Sequence, residues 1–313
     1  MLLNFLFPRL MPGGPISYID SGHNKSFEMT EEQKQAVESY YGLDESIFVQ
    51  LTSYVKGIIT ADFGNSISYQ TSVIDLIMVH AKWTILLVSV STIFMFIIGI
   101  GLGLISGWLQ HKKSDGPLFT SMISIGAVPG FVLGMLSLLF FSTELGLFPF
   151  GGSATQFLSV EEGLAGYFSI ITDVLYHAAL PISVLTIAGV TSIYLLIRNS
   201  TVEILNEPYM YAVEAKGLKR RKILVRHALK NAILPIFTLL TLRVGLLITG
   251  AILVETVFSY PGIGKLLQEA ILQRDYPLMH GLFFVFTITI LCTNLIADFI
   301  YPKLDPRMRK EEV

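Results

Sequence analysis

Arg243 lies within an apolar run, residues 233–258, with hydrocarbon-compatible side chains on both sides. A guanidinium at that depth is costly unless it faces protein or water, so such a residue marks either a partner or a path. Asn294 and Asp298, one helical turn apart in the last apolar run, are its candidate neighbours. The three define a candidate translocation pathway in which Arg243 favours a carboxylate or the backbone carbonyls of a substrate. A structural ion pair or a snorkelling side chain fits the pattern at least as well, and Asp298, near the cytoplasmic end of its run, is also placed to face headgroups.

The other reactive residue types lack the company that catalysis needs. The six histidines are scattered and no His-Glu-x-x-His occurs, so no metal site is expected. Gly262-Ile263-Gly264-Lys265-Leu266 lacks the earlier glycine and the Ser or Thr of a phosphate-binding loop, so ATP must bind another polypeptide. The single cysteine, Cys292, excludes an internal disulfide and reads as packing. Glu28, Glu31 and Glu32 read as a solvated face, with attraction of a cationic substrate or a partner lobe as the alternative. No nucleophile is paired with a base, and no catalytic residue is expected.

The elements that must hold these residues are membrane helices. Of 313 residues, 52% are hydrophobic and 15% charged, and several apolar runs reach the roughly 20 residues needed to cross about 30 Å of hydrocarbon. The chain therefore reads as an all-α polytopic membrane protein, with full spans expected at residues 84–108, 117–141, 178–197, 233–258 and 281–301. Residues 1–11 are apolar but too short to span, and the Pro12-Gly13-Gly14-Pro15 turn follows them. Eight Lys or Arg fall between Arg198 and Lys230 and none between Ser142 and His177. That asymmetry puts residues 198–232 and the 304–313 tail in the cytoplasm, and residues 12–83 and the 142–177 loop outside. Residues 84–303 then form the transmembrane domain. Gly99, Gly101, Gly103 and Gly107, and then Gly126, Gly130 and Gly134, let helices approach closely, and Pro129 adds a kink.

Between Asn206 and Pro235 the chain is polar and basic although it is wedged between apolar runs. Asn206 is placed to N-cap a short helix with Pro208 in its first turn, and Gly217 to end it in a left-handed residue. A second helix then starts at Lys219-Arg220-Arg221-Lys222 and runs through Arg226, His227 and Lys230 into hydrocarbon.

Glu214-Ala215-Lys216-Gly217-Leu218, followed by Arg226-His227-Ala228-Leu229-Lys230-Asn231-Ala232-Ile233-Leu234-Pro235, resembles the coupling loop of the binding-protein-dependent ABC importer permeases of the dipeptide/oligopeptide class. Of the general Glu-Ala-Ala, three residues, Gly form, only Ala212 and Gly217 match; the peptide-class form fits better. Residues 254–262, ValGluThrValPheSerTyrProGly, with Arg274-Asp275-Tyr276-Pro277 and the ending Leu304-Asp305-Pro306-Arg307, resemble the same permeases. The resemblance implies a type I ABC importer permease-like bundle in the cell membrane, with five full transmembrane helices and residues 1–11 as a partial first one, either shortened or with its start assigned too late. It implies ATPase coupling through Glu207, Ala212, Glu214, Ala215, Lys216, Gly217, Leu218, Arg226, His227 and Pro235. Its partners would be a homologous second permease, two ATPase subunits holding ATP and Mg, an extracytoplasmic solute-binding protein and membrane lipid; no nucleic acid and no cofactor of its own are implied. A permease for a nickel chelate, glutathione or an oligosaccharide shares these signatures, and a membrane scaffold or sensor with a basic docking loop is the reading from another class.

Overall fold

Inside hydrocarbon each N–H and C=O must be satisfied within its own segment, so apolar runs of this length fold as helices. The computed structural model describes residues 2–11, 30–110, 112–155, 163–217, 220–223, 229 and 251–304. Among the described residues the regular structure is helical apart from one isolated bridge between Asn65 and Ser72. Three helices among the described residues are long and apolar enough to cross a membrane, Val73–Leu109, Leu164–Leu205 and Tyr276–Ile296. A bent pair, Asp115–Gly126 with Gly130–Glu144, makes a fourth crossing if it is one span. The span expected at 233–258 lies outside the described residues as far as residue 250, and residues 251–257 are helical.

The chain divides into two compact units. The first comprises Met1–Thr84 and Pro261–Thr289. Its helix α1, Leu2–Leu10, buries Phe5 and Pro8 and is too short to span. Helix α2, Glu31–Tyr40, starts with a capping box in which Thr30 and Gln33 each satisfy the other's backbone N–H. Helix α3, Ile47–Thr60, is capped by Ser46 and stopped by Ala61 in the left-handed region. Among its described residues, the 12–83 segment expected as an outer loop thus contains two helices and the first turns of a third, α4, Val73–Leu109. Helix α4 begins well before the apolar run at residue 84, because hydropathy marks only the part suited to hydrocarbon and the helix continues past it.

Asp275 organises the far end of this unit. It is fully buried and accepts from the Ser66 hydroxyl at 2.5 Å, the Ser68 N–H at 3.0 Å and the Leu278 N–H at 3.1 Å. The last bond caps α11, Tyr276–Leu304, and the first two fasten residues 66–68 to that cap. Thr84 does the same for α10, Ile263–Gln273, its hydroxyl accepting from the Ile263 N–H at 2.9 Å. Nearby, the Tyr69 phenol donates to Glu269 at 2.6 Å; burial and that carboxylate raise its pKa above the ordinary tyrosine value, so it stays a donor at neutral pH.

The second unit comprises Ile85–Tyr260 and Ile290–Val313. Helix α5, Asp115–Gly126, and α6, Gly130–Ser137, meet at 94°, and a π-helical turn, Leu138–Glu144, follows α6. Pro129 sits at the corner with ψ 138°, extended where a helix would be compact. The kink expected there is therefore a full break. Helix α7, Leu164–Leu205, is 42 residues long, again longer than the apolar run that announced it. Gly99, Gly103 and Gly107 of α4 face Ile193, Ile197 and Thr201 of α7, with a hypothetical Cβ within 2.8 Å of each side chain. Met95, Leu104, Val190, Ile193 and Ile197 form the core between them. Gly101, grouped with these glycines in the sequence, meets nothing within 4 Å.

Candidate partner-docking site

Helix α8, Pro208–Ala215, is separated from the end of α7 by two residues, Asn206 and Glu207. Pro208 is its first helical residue, where a missing N–H does no harm. Asn206 does not N-cap it. The Asn206 backbone N–H and side-chain amide turn back to Val202, the latter at 3.0 Å, so this residue closes α7. With both ends inside three residues, one polar side chain serves either, and the carbonyls of the longer helix take it. Glu207 stands at the start of α8, its carbonyl accepting from the Met210 N–H at 2.9 Å.

Met210 and Val213, spaced three apart, fall on one face and are buried against Trp108, Ile204, Leu205 and Ile223. Met210 is 1% exposed. Each buried side chain of this size contributes about 1.5–3 kcal/mol, enough to hold a two-turn helix that would not form alone. The opposite face is open: Glu207, Ala212, Ala215 and Lys216 are exposed, and Tyr211 is 71% exposed. Gly217 ends the helix at φ 65°, with nothing within 4 Å of a hypothetical Cβ. Its backbone conformation, not lack of space, calls for glycine. Helix α9, Arg220–Ile223, returns Ile223 to the same cluster.

Close by in the chain, a charged cluster joins three helices. The Arg198 guanidinium of α7 donates to Asp115 of α5 at 2.7 Å and to the Ser106 hydroxyl of α4 at 3.0 Å. Ser106 gives its only proton to Asp115, so the Tyr194 hydroxyl, 2.7 Å away, must donate to Ser106. Asp115, Ser106 and Tyr194 are all buried, and Arg198 lies over the Phe119 ring at 4.4 Å. In the sequence Arg198 opens the basic 198–232 segment and Asp115 falls between the spans expected at 84–108 and 117–141, with nothing to pair them. The available signal was a lone acid opening one apolar run and a lone base closing another.

Of the expected coupling residues, Glu207, Ala212, Ala215, Lys216 and Gly217 lie together on or beside α8, and Glu214 belongs to the same helix. Leu218, Arg226, His227 and Pro235 lie outside the described residues, as does Arg243 of the pathway set. Asn294 is exposed on α11, which also carries Asp298.

The chain matches the family described as binding-protein-dependent transport system inner membrane component over residues 99–310. It is 33% identical over 309 residues to the oligopeptide transport system permease protein AppB of Bacillus subtilis, covering 98% of this chain and 93% of that protein. It is 30% identical over 323 residues to the dipeptide transport system permease protein DppB of Escherichia coli K12, covering 99% and 94%. The glutathione transport system permease protein GsiC of Escherichia coli O1:K1 / APEC is 30% identical over 308 residues, with 98% and 93% covered. Among solved structures, a chain of the MetNI methionine ABC transporter in an inward-facing conformation superposes with a TM-score of 0.58 at 16% identity, covering 74% of this chain and 97% of that one.

Proposed function

The chain belongs to the family of binding-protein-dependent transport system inner membrane components, and from that premise we propose that it forms half of the translocation pathway of an ATP-driven importer of di- or oligopeptides. The observation that carries the reading is α8, a short helix gripped from behind by Met210 and Val213 while Tyr211, Ala212, Ala215 and Lys216 face outward. A surface helix held this way moves as a rigid body, and its anchors Trp108 and Leu205 sit in the last turns of α4 and α7. Displacing α8 therefore drags two spans, and the Arg198–Asp115 pair passes the displacement to α5. This is how a subunit without a nucleotide site responds to ATP.

Two ATPase subunits hold ATP and Mg, and one of them receives Glu207, Ala212, Glu214, Ala215, Lys216, Gly217 and Leu218 in a groove. Arg226 and His227 flank that groove, Gly217 and Pro235 set the angle of the helix, and nucleotide-driven closure switches the spans between inward and outward access. A homologous second permease completes the pathway and an extracytoplasmic binding protein delivers the peptide. Residues 198–232 and the tail face the cytoplasm, residues 12–83 the outside, and residues 84–303 cross the membrane. Arg243, Asn294 and Asp298 line the path, Arg243 favouring the peptide's carboxylate or backbone carbonyls; unchanged transport affinity in Arg243→Gln would remove it from that role.

The coupling test is Gly217→Val in the chain assembled with its ATPase subunits and binding protein. A β-branched residue in the left-handed region costs about 1–2 kcal/mol, which misdirects the end of α8 without touching the membrane helices. Hydrolysis should continue while peptide uptake per ATP falls and membrane insertion is normal. Uptake per ATP equal to the parent would refute the coupling role.

A further inference from the structure

Helix α3, Ile47–Thr60, has three faces. Gln50, Tyr54 and Gly57 turn inward, Tyr54 buried and the other two half-buried. Ser53, Lys56 and Thr60 make an exposed polar row, and Lys56 is the helix's one charged residue. Phe48, Leu51, Val55 and Ile59, spaced three or four apart, make an apolar row; Phe48 is 73% and Ile59 79% exposed. Thr52, beside that row, gives its hydroxyl to the Val49 carbonyl at 2.8 Å, so the row carries neither a charge nor an open hydrogen-bonding group. An exposed apolar stripe of this length is costly in water. The helix is nevertheless too short to span, because 14 residues at about 1.5 Å each reach about 21 Å of the roughly 30 Å required.

Its neighbours fix its level. Helix α1 runs antiparallel beside α11: Asn4 donates to the Thr287 hydroxyl at 3.1 Å, the Phe5 and His280 rings stack with centroids 5.9 Å apart, and Arg9 lies over the Tyr276 ring at 5.7 Å. Helix α3 joins them at the start of α11, where the Tyr54 ring lies 4.8 Å from that of His280 and Gln50 accepts from Arg9 at 2.6 Å. Tyr276 opens the apolar span Tyr276–Ile296, so this is the depth at which hydrocarbon gives way to headgroups. Every exposed residue of α1 is apolar, namely Leu2, Leu3, Leu6, Phe7 and Leu10, and a hydrocarbon-facing surface thus continues along α1 to α3. We propose that α3 is an interfacial helix seated in the lipid boundary beside the start of α11, with Phe48, Leu51, Val55 and Ile59 in the acyl chains and Ser53 and Thr60 in water. Lys56 lies at the edge between the two exposed rows, where its stem rests on acyl chains and its ammonium reaches a lipid phosphate. A protein partner would find no polar group on the apolar row to fix its register, whereas lipid needs none. The leaflet follows from the sidedness proposed for residues 12–83; the seating depends neither on that sidedness nor on α8.

The test is spin labelling of the full-length chain in phosphatidylcholine nanodiscs, with Cys292→Ser removing the one native cysteine. Single labels are attached at Phe48→Cys, Val55→Cys and Ile59→Cys on the apolar row, and at Ser53→Cys and Thr60→Cys on the polar row. Collision with oxygen, which concentrates in hydrocarbon, is compared with collision with the water-soluble chromium oxalate ion. The ratio of oxygen to chromium collision should be several-fold higher at the three apolar positions than at the two polar ones. Ratios that do not differ between the rows would mean that α3 does not divide lipid from water, and would overturn the proposal. Protection of the apolar row from both reagents would mean that protein covers it, and would overturn the proposal equally. All five side chains are exposed, so no variant removes a packing contact. The measurement involves neither ATP nor uptake, so its failure leaves the proposed importer role untouched.

Discussion

Asp115 and Arg198 form the buried ion pair on which α4, α5 and α7 converge. Asp115→Ala strands a guanidinium against a hydroxyl and an aromatic ring, and breaking such a pair from one side costs about 3–5 kcal/mol. Replacing both, Asp115→Leu with Arg198→Met, should cost less than either single change, because no charge is left unmatched. Thermal unfolding of the four variants in nanodiscs reads this directly, and additive losses would mean that the two residues do not act as one unit. The sequence displays both charges plainly. It does not display their meeting, because 83 residues separate them and no helical period spans that distance. Asp275 is a similar case: its segment stood out, yet its task of capping α11 while holding Ser66 and Ser68 depends on a chain portion more than 200 residues away.

At the scale of elements, the contact of α4 with α7 depends on which glycines share a face. Gly99, Gly103 and Gly107 repeat every four residues, and an added Cβ at Gly103 meets the Ile197 Cβ at 2.7 Å and the Tyr194 carbonyl at 2.8 Å. Gly103→Ala should therefore destabilise by about 1–3 kcal/mol through overpacking. Gly101 lies two residues off that row, where an added Cβ has free space, and Gly101→Ala should be stabilising by up to about 1 kcal/mol, the helix-propensity difference. Opposite shifts in unfolding temperature are the expected result; equal shifts would mean that the row does not set the helix spacing. The repeat was legible because it is local and periodic, and sorting Gly101 from its neighbours needed only the 3.6-residue turn. The position of the bend at Pro129 was legible for the same reason. Its 94° angle was not, since an angle between helices is decided by what packs around them.

At the scale of the whole molecule, the uneven placement of Lys and Arg predicts which ends of the helices share a side. That rule reads only charge near span ends, so it assigns sides without knowing how the spans pack, and for that reason it reaches further from sequence than any packing argument. Cys292 is exposed and is the chain's one cysteine, so Cys292→Ser gives a background in which a single introduced thiol reports its own side. Lys216 follows α8 directly and Glu144 ends the π-helical turn, and both are exposed. In intact cells or right-side-out vesicles, a membrane-impermeant maleimide should label Glu144→Cys and leave Lys216→Cys untouched until the membrane is opened. In inverted vesicles the order should reverse. Labelling of Lys216→Cys from outside would deprive α8 of any cytoplasmic ATPase to meet, and labelling of both from one side would require an even number of crossings between residues 144 and 216, where Leu164–Leu205 is the one helix among the described residues long and apolar enough to cross.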